Sequence, residues 1–142
     1  MTSLNEESIR QALAGDPLVG REVRVLPEVG STNDYLKEAA RVDAPEGLAV
    51  LAERQTAGKG RLERSFQSPA GLGLWMSVLL RPTCSPERLP PVTALTAAAC
   101  AEAIREVCGA EAGIKWPNDL VLGGRKLCGI LTELESGGEG LA

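Results

Sequence analysis

Arg54, Lys59, Arg61 and Arg64 crowd into one short run, Glu53-Arg-Gln-Thr-Ala-Gly-Lys-Gly-Arg-Leu-Glu-Arg64, in a chain of formal charge -4. Gly58 and Gly60 flank Lys59, and glycine lets a backbone bend close to a ligand. A flexible, locally basic loop of this kind suits a small anion. It is not a P-loop: Gly60 stands where that motif needs Ser or Thr, and the required upstream glycine is missing. Taken alone, such a tract is more often a solvated surface loop.

Two further segments carry polar groups at positions where chemistry is done. Gly30-Ser31-Thr32-Asn33 falls at a strand-to-helix junction. Its side chains can cap the helix, or its exposed amides and hydroxyls can grip a polar ligand. Lys115-Trp-Pro-Asn-Asp-Leu-Val-Leu-Gly-Gly-Arg-Lys-Leu-Cys-Gly-Ile-Leu131 contains Gly123-Gly124 between apolar runs, a two-residue hairpin signal. With that turn, Val121 faces Lys126 and Asp119 faces Cys128. Strand alternation then sets Asp119, Val121, Lys126 and Cys128 on one face, with the carboxylate and the lysine diagonal to each other. Either a structural ion pair or a ligand site follows.

The absence of histidine restricts the reaction classes. Serine–histidine and cysteine–histidine nucleophiles are excluded, as is the usual general base near neutral pH. Cys84, Cys100, Cys108 and Cys128 show no paired C-x-x-C spacing, so no structural metal site is expected. Cys100 and Cys108 share an expected helix, about 12 Å apart and too distant for a disulfide. Reduced, mostly buried thiols are the expectation. The acidic balance argues against a nucleic-acid partner, and no apolar run reaches the roughly 20 residues of a membrane span. A cytoplasmic protein is expected.

The elements that must position these residues follow from pattern. Asn5 caps a short helix over Glu6–Ala14, ended by Gly15. Strands are expected over Val23–Val29, Leu48–Ala52 and Leu72–Leu80. A helix spans Asp34–Arg41 with Leu36, Ala39 and Ala40 inward. Pro90-Pro91 precedes a long helix over Val92–Cys108, closed by Gly109. A last β region runs from Ile114 to Glu135, and the tail Ser136–Ala142 has no stopping logic of its own. Strands next to strands with few helices imply an α+β fold, a mixed sheet packed with helices, rather than a doubly wound sheet. At 142 residues, one domain is expected.

In order and spacing, Gly-Ser-Thr-Asn33, Ala57-Gly-Lys-Gly-Arg61, Lys115-Trp-Pro-Asn-Asp-Leu120 and Arg125-Lys-Leu-Cys-Gly-Ile-Leu131 resemble the catalytic domain of biotin protein ligases over about Val25–Glu135. The resemblance implies the sandwich shared with class II aminoacyl-tRNA synthetases and lipoate ligases. It implies that biotin and MgATP give biotinyl-5′-adenylate, whose acyl group passes to a lysine of biotin carboxyl carrier protein. ATP and Mg2+ are the implied cofactors. Lys126 matches the family's key lysine, at the biotin carboxylate and the phosphate. Lys59 and Arg61 match the loop that folds over the adenylate, with Gly58 and Gly60 beside them. Ser31, Thr32, Asn33 and Gln55 match the group reading biotin's ureido ring and valeryl arm. Backbone around Gly129 lines the same pocket, and Asp119, with Lys115 and Asn118, is the ATP- and magnesium-associated set.

The family loop usually reads Gly-Arg-Gly-Arg-Arg-Gly. Lys59 keeps the charge but loses the two-pronged donor, and Glu63 replaces a glycine, so looser adenylate retention is expected. Fewer than thirty residues precede Gly30-Ser31, which suggests no winged-helix repressor domain. The family continues beyond this hairpin, so the chain reads as the N-terminal part of the catalytic domain, a fragment whose full-length form can dimerise. The alternatives are a catalytically silent biotin-binding module, and a lipoate ligase or octanoyltransferase relative, whose Arg-Arg-x-Ser-Gly-Gly-Gly signature is absent.

Overall fold

The structure is a computed structural model that describes residues 4–137 and 140–141, with side chains through residue 135. The chain forms two compact units: Met1–Lys59, Glu63–Pro82 and Leu134–Ala142 make the first, and Gly60–Leu62 with Thr83–Glu133 the second.

In the first unit, α1 (Glu6–Ala12) starts at Asn5, whose side chain accepts from the Ser8 amide at 3.0 Å. The helix stops earlier than the sequence reading placed it, Leu13 already being extended. Strands β1 (Val23–Leu26), β2 (Ala49–Ala52) and β3 (Trp75–Val78) lie in the order β1-β2-β3, the first pair parallel and the second antiparallel. This is the mixed sheet expected. All four residues of the central strand β2 are buried, as they must be where both faces are covered. On one face Val50 meets Leu36 and Ala39 of α2 (Thr32–Arg41), with Leu48 and Leu79. On the other, Ala49 and Leu51 pack with Val23, Val25, Leu4 and Ile9. Glu6 accepts from the Val25 amide at 2.9 Å, satisfying a donor on the edge strand β1.

Two strands are shorter than their apolar runs. β3 can pair only with the four residues that β2 offers, from Ala49↔Val78 to Ala52↔Trp75. Leu72 and Leu74 lie outside that ladder and are 81% and 58% exposed. Gly71, at φ +75°, turns the chain before the ladder begins. Similarly, β1 ends at Leu26 because Pro27 has no amide to donate. Val29 then rejoins as an isolated parallel bridge to Gln55.

The second unit holds α3 (Pro91–Cys108), closed by Gly109 at φ +67°, and an antiparallel sheet of β4 (Gly113–Lys115), β5 (Asp119–Leu122) and β6 (Arg125–Gly129). Gly123 and Gly124 sit at φ +56° and +75°, the backbone a two-residue hairpin turn requires. The expected register holds for Val121↔Lys126 and then shifts: Cys128 pairs with Leu120, and Asp119 with Gly129. Leu127 is the extra residue of this bulge. Cys128 is thereby moved off the face of Asp119 and Lys126, correcting the single face read from strict alternation. The β region ends at Gly129 rather than Glu135, with Ile130 still donating to the Asn118 carbonyl at 2.8 Å. In the first unit's tail, β7 (Ser136–Gly137) pairs with β8 (Gly140–Leu141). The rest of that tail lies outside the described residues.

Candidate functional site

Of the Gly30–Asn33 segment, Ser31 is the helix cap: its hydroxyl accepts from the Asp34 amide at 3.5 Å. Thr32 and Asn33 serve differently. The Thr32 amide donates to Gln55 Oε1 at 2.8 Å, and the Thr32 hydroxyl lies 3.0 Å from the same oxygen. That hydroxyl is also 2.7 Å from Ser77 Oγ, which donates in turn to Asn33 Oδ1. Gln55 Nε2 donates to Ser68 Oγ at 2.9 Å. Three expected residues are thus joined, Thr32 and Gln55 directly and Asn33 through Ser77, with Ser68 holding the far end of Gln55; neither serine was singled out from the sequence. Ser77 stands in an apolar strand run and Ser68 in a loop. The signal for Ser77 was there: an isolated hydroxyl in a strand whose neighbours are apolar must find a partner when buried. Ser31, Thr32 and Ser68 are each 3% exposed and Ser77 9%.

The base of the basic loop is zipped by backbone. Gln55 donates to the Ser68 carbonyl at 3.0 Å, and Phe66 donates to the Gly58 carbonyl at 2.7 Å. Lys59 bridges to Ser65. Lys59 Nζ donates to Asp34 at 2.7 Å, tying the loop lysine to the first turn of α2. Arg54 pairs with Glu28 at 3.0 Å, consistent with its having no assigned role.

Leu62 and Glu63 stand at φ +58° and +57°, in the left-handed region that costs a residue with a Cβ about 1–2 kcal/mol. Glu63 therefore occupies a backbone position that suits glycine, the residue the resemblance leads one to expect there. Glu63→Gly is expected to raise stability by about 1 kcal/mol, read as a higher urea midpoint at unchanged slope. An unchanged midpoint would show that the loop adopts another conformation in solution.

In the second unit, Arg61 Nη1 donates to Asn118 Oδ1 at 3.0 Å, joining a loop cation to a member of the Lys115–Asp119 segment. Asn118 Nδ2 reaches the Ile130 carbonyl at 3.4 Å. Lys126 Nζ lies 2.9 Å from Asp119 Oδ1, the diagonal contact expected of the hairpin. That oxygen is buried and has no partner in directed hydrogen-bonding geometry, so the contact is an ion pair held by charge. Lys115, Asp119 and Gly129 line up as successive partners across β4, β5 and β6. Among the described residues, no group of three or more acidic or thiol side chains could hold a metal.

The bulge has a second consequence. Cys128 shares its face with Leu120, which is fully buried, and its thiol is electrostatically coupled to that of Cys100 on α3. Within the pair the Cys100 pKa is lowered to about 7 by its Cys128 neighbour, while the Cys128 thiol is pushed up. All four cysteines are free, but they are not mostly buried as expected: Cys84, Cys100 and Cys128 are half-buried and Cys108 is exposed. Alkylation of Cys100 by iodoacetamide is expected to rise through pH 7, below an ordinary thiol; a midpoint near 9 would refute the coupling.

Comparisons with known proteins show the family of the chain. The model of the biotin/lipoate A/B protein ligase family matches residues 25–142. The bifunctional ligase/repressor BirA of Bacillus subtilis is 40% identical over 133 residues, covering 94% of this chain and 41% of that protein. The biotin–[acetyl-CoA-carboxylase] ligase of Mycobacterium tuberculosis is 36% identical, covering 92% and 51%. Biotin protein ligase from Aquifex aeolicus in complex with biotin and ATP superposes with a TM-score of 0.67 at 36% identity, covering 85% and 49%. The Leishmania major enzyme in complex with biotinyl-5-AMP gives 0.67 at 32% identity, covering 84% and 54%. The chain thus spans about half the length of the relatives it matches, and nearly all of it lies in the shared region. It belongs to the biotin/lipoate A/B protein ligase family.

Proposed function

We propose that the chain is the N-terminal part of a biotin protein ligase catalytic domain. In this reading the biotin carboxylate attacks the α-phosphate of ATP, releasing pyrophosphate and leaving biotinyl-5′-AMP. The amine of an acceptor lysine on biotin carboxyl carrier protein then attacks the acyl carbon, expelling AMP and forming an amide. The observation that carries the reading is the Thr32–Gln55–Ser77–Asn33 cluster, in which buried Thr32 and Ser77 hold half-buried Gln55 and Asn33 at the mouth of a helix. Relatives whose names specify biotin ligation, and structures holding biotin with ATP or biotinyl-5-AMP, support it.

Two anions must approach each other in the first step, so fixed cations at the developing charge lower the barrier. Lys126 is assigned that role. Arg61 and Lys59 cover the adenylate, with Gly58 and Gly60 shaping the loop. Ser31, Thr32, Asn33 and Gln55 read the biotin, and backbone at Gly129 lines its pocket. Lys115, Asn118 and Asp119 are the nucleotide-associated set. Asp119 suits magnesium only as one ligand of an ion carried on ATP's phosphates, whose charge the ion would offset. No helix among the described residues is long and apolar enough to cross a membrane.

The test is biotin-dependent exchange of labelled pyrophosphate into ATP. Exchange supports the ligase, and biotin binding without exchange makes the chain a silent biotin-binding module. Lipoate-dependent exchange with none for biotin would move it to the other branch of the family.

A further inference from the structure

Two serines outside the residues assigned to biotin help hold the proton directions in the first unit's polar cluster. Ser68 has one hydroxyl proton, and it goes to the Phe66 carbonyl, an acceptor only, at 3.3 Å. Ser68 Oγ therefore accepts from Gln55 Nε2 while the Thr32 amide, a donor only, holds Oε1, so the Gln55 amide is gripped at both ends. On the opposite side Ser77 gives its proton to Asn33 Oδ1, so toward Thr32 it can only accept. Both serines are at least nine-tenths buried, where water does not substitute for them.

We propose that Ser68 and Ser77 are positioning residues that lock the ligand-reading group in its hydrogen-bond polarity, Ser68 by holding the Nε2 end of Gln55 and Ser77 by holding Thr32 and Asn33. This deepens the biotin-reading assignment and rests on it for its consequence in binding, but not for the polarity itself. Gln55 is left with one Nε2 proton not used by Ser68, so it meets a ligand as a donor. Without Ser68 the Thr32 amide still holds Oε1, but the Nε2 end loses its acceptor, and the donor presented to the ligand is no longer held in one place.

The experiment has two readouts. In the 15N-labelled chain without ligand, Ser68→Ala is expected to shift the Gln55 side-chain amide resonances and leave those of Asn33 in place. Ser77→Ala is expected to shift those of Asn33 and, through the Thr32 hydroxyl, those of Gln55 by less. In calorimetric titration with biotin, each variant is expected to weaken binding about tenfold, the loss of one oriented hydrogen bond at a buried site. Ser77→Thr, which keeps the hydroxyl on a strand tolerant of β-branching, is expected to restore it. A shift of the Asn33 amide by Ser68→Ala, or no shift of either amide by either variant, would overturn the proposal, because a packing role predicts no such one-way pattern. Failure of the unaltered chain to bind biotin would instead remove the functional reading, and the amide resonances would still decide the polarity.

Discussion

Lys126→Ala is expected to reduce biotin-dependent pyrophosphate exchange by at least about a hundredfold, the usual cost of one fixed electrostatic contact to a developing charge. The expectation depends on where the lysine stands. It projects from β6 beside the bulge, in a pair with Asp119 whose Oδ1 is buried. Loss of the ammonium thus removes a cation and also strands a carboxylate. The side chains are 46% and 21% exposed, so solvent screens the pair and the stability cost should be about 1 kcal/mol rather than that of a fully buried bridge. The double variant Lys126→Met with Asp119→Asn separates the two effects. It should recover the melting temperature of the parent and none of the exchange. Recovery of exchange in that neutral pair would mean that Lys126 serves only to compensate Asp119.

Legibility differed between local and non-local features. Most helix limits were plain because they are written in neighbouring residues, Asn5 as a cap, Pro90-Pro91 before α3 and Gly109 at its end, although α1 stops at Ala12 short of Gly15 and α2 starts at Thr32 rather than Asp34. Strand ends were not, because a strand is as long as its partner allows, and the four residues of β2 set the length of β3. The hairpin turn was legible in Gly123-Gly124, but a bulge at Leu127 leaves no mark in an apolar run. That unmarked residue determined whether Cys128 faced Asp119 or the helix. In the candidate site, Thr32, Asn33 and Gln55 were found by resemblance; Ser77 was missed although a lone hydroxyl in an apolar strand signals a buried partner, and Ser68 because nothing local distinguishes a loop serine that holds an amide from one that caps a turn. The likeness to known ligases identified which residues to watch, and the geometry showed what holds them.

Gly58→Ala is expected to be among the most disruptive single changes in the basic loop, for a reason the sequence pattern does not give. Glycines beside a cation suggest room for a ligand, yet the space at Gly58 is already filled by the protein. A Cβ there would lie 2.3 Å from the Phe66 carbonyl oxygen, 2.7 Å from Ser68 Oγ and 3.2 Å from Gln55 Nε2. The backbone cannot simply retreat, because Phe66 donates to the Gly58 carbonyl at 2.7 Å and Gln55 to the Ser68 carbonyl at 3.0 Å. The methyl must break that zip or displace the serine that orients Gln55. Overpacking of this kind costs about 1–3 kcal/mol, and the lost amide orientation adds a binding defect that stability alone does not explain. The two contributions are separable. Ser68→Ala in the Gly58→Ala background removes the 2.7 Å contact but leaves the carbonyl at 2.3 Å, so it should restore neither the melting temperature nor biotin affinity. Rescue by that second change would place the clash in the side chain. The loop base would then be a yielding hinge rather than the rigid floor on which Lys59 stands.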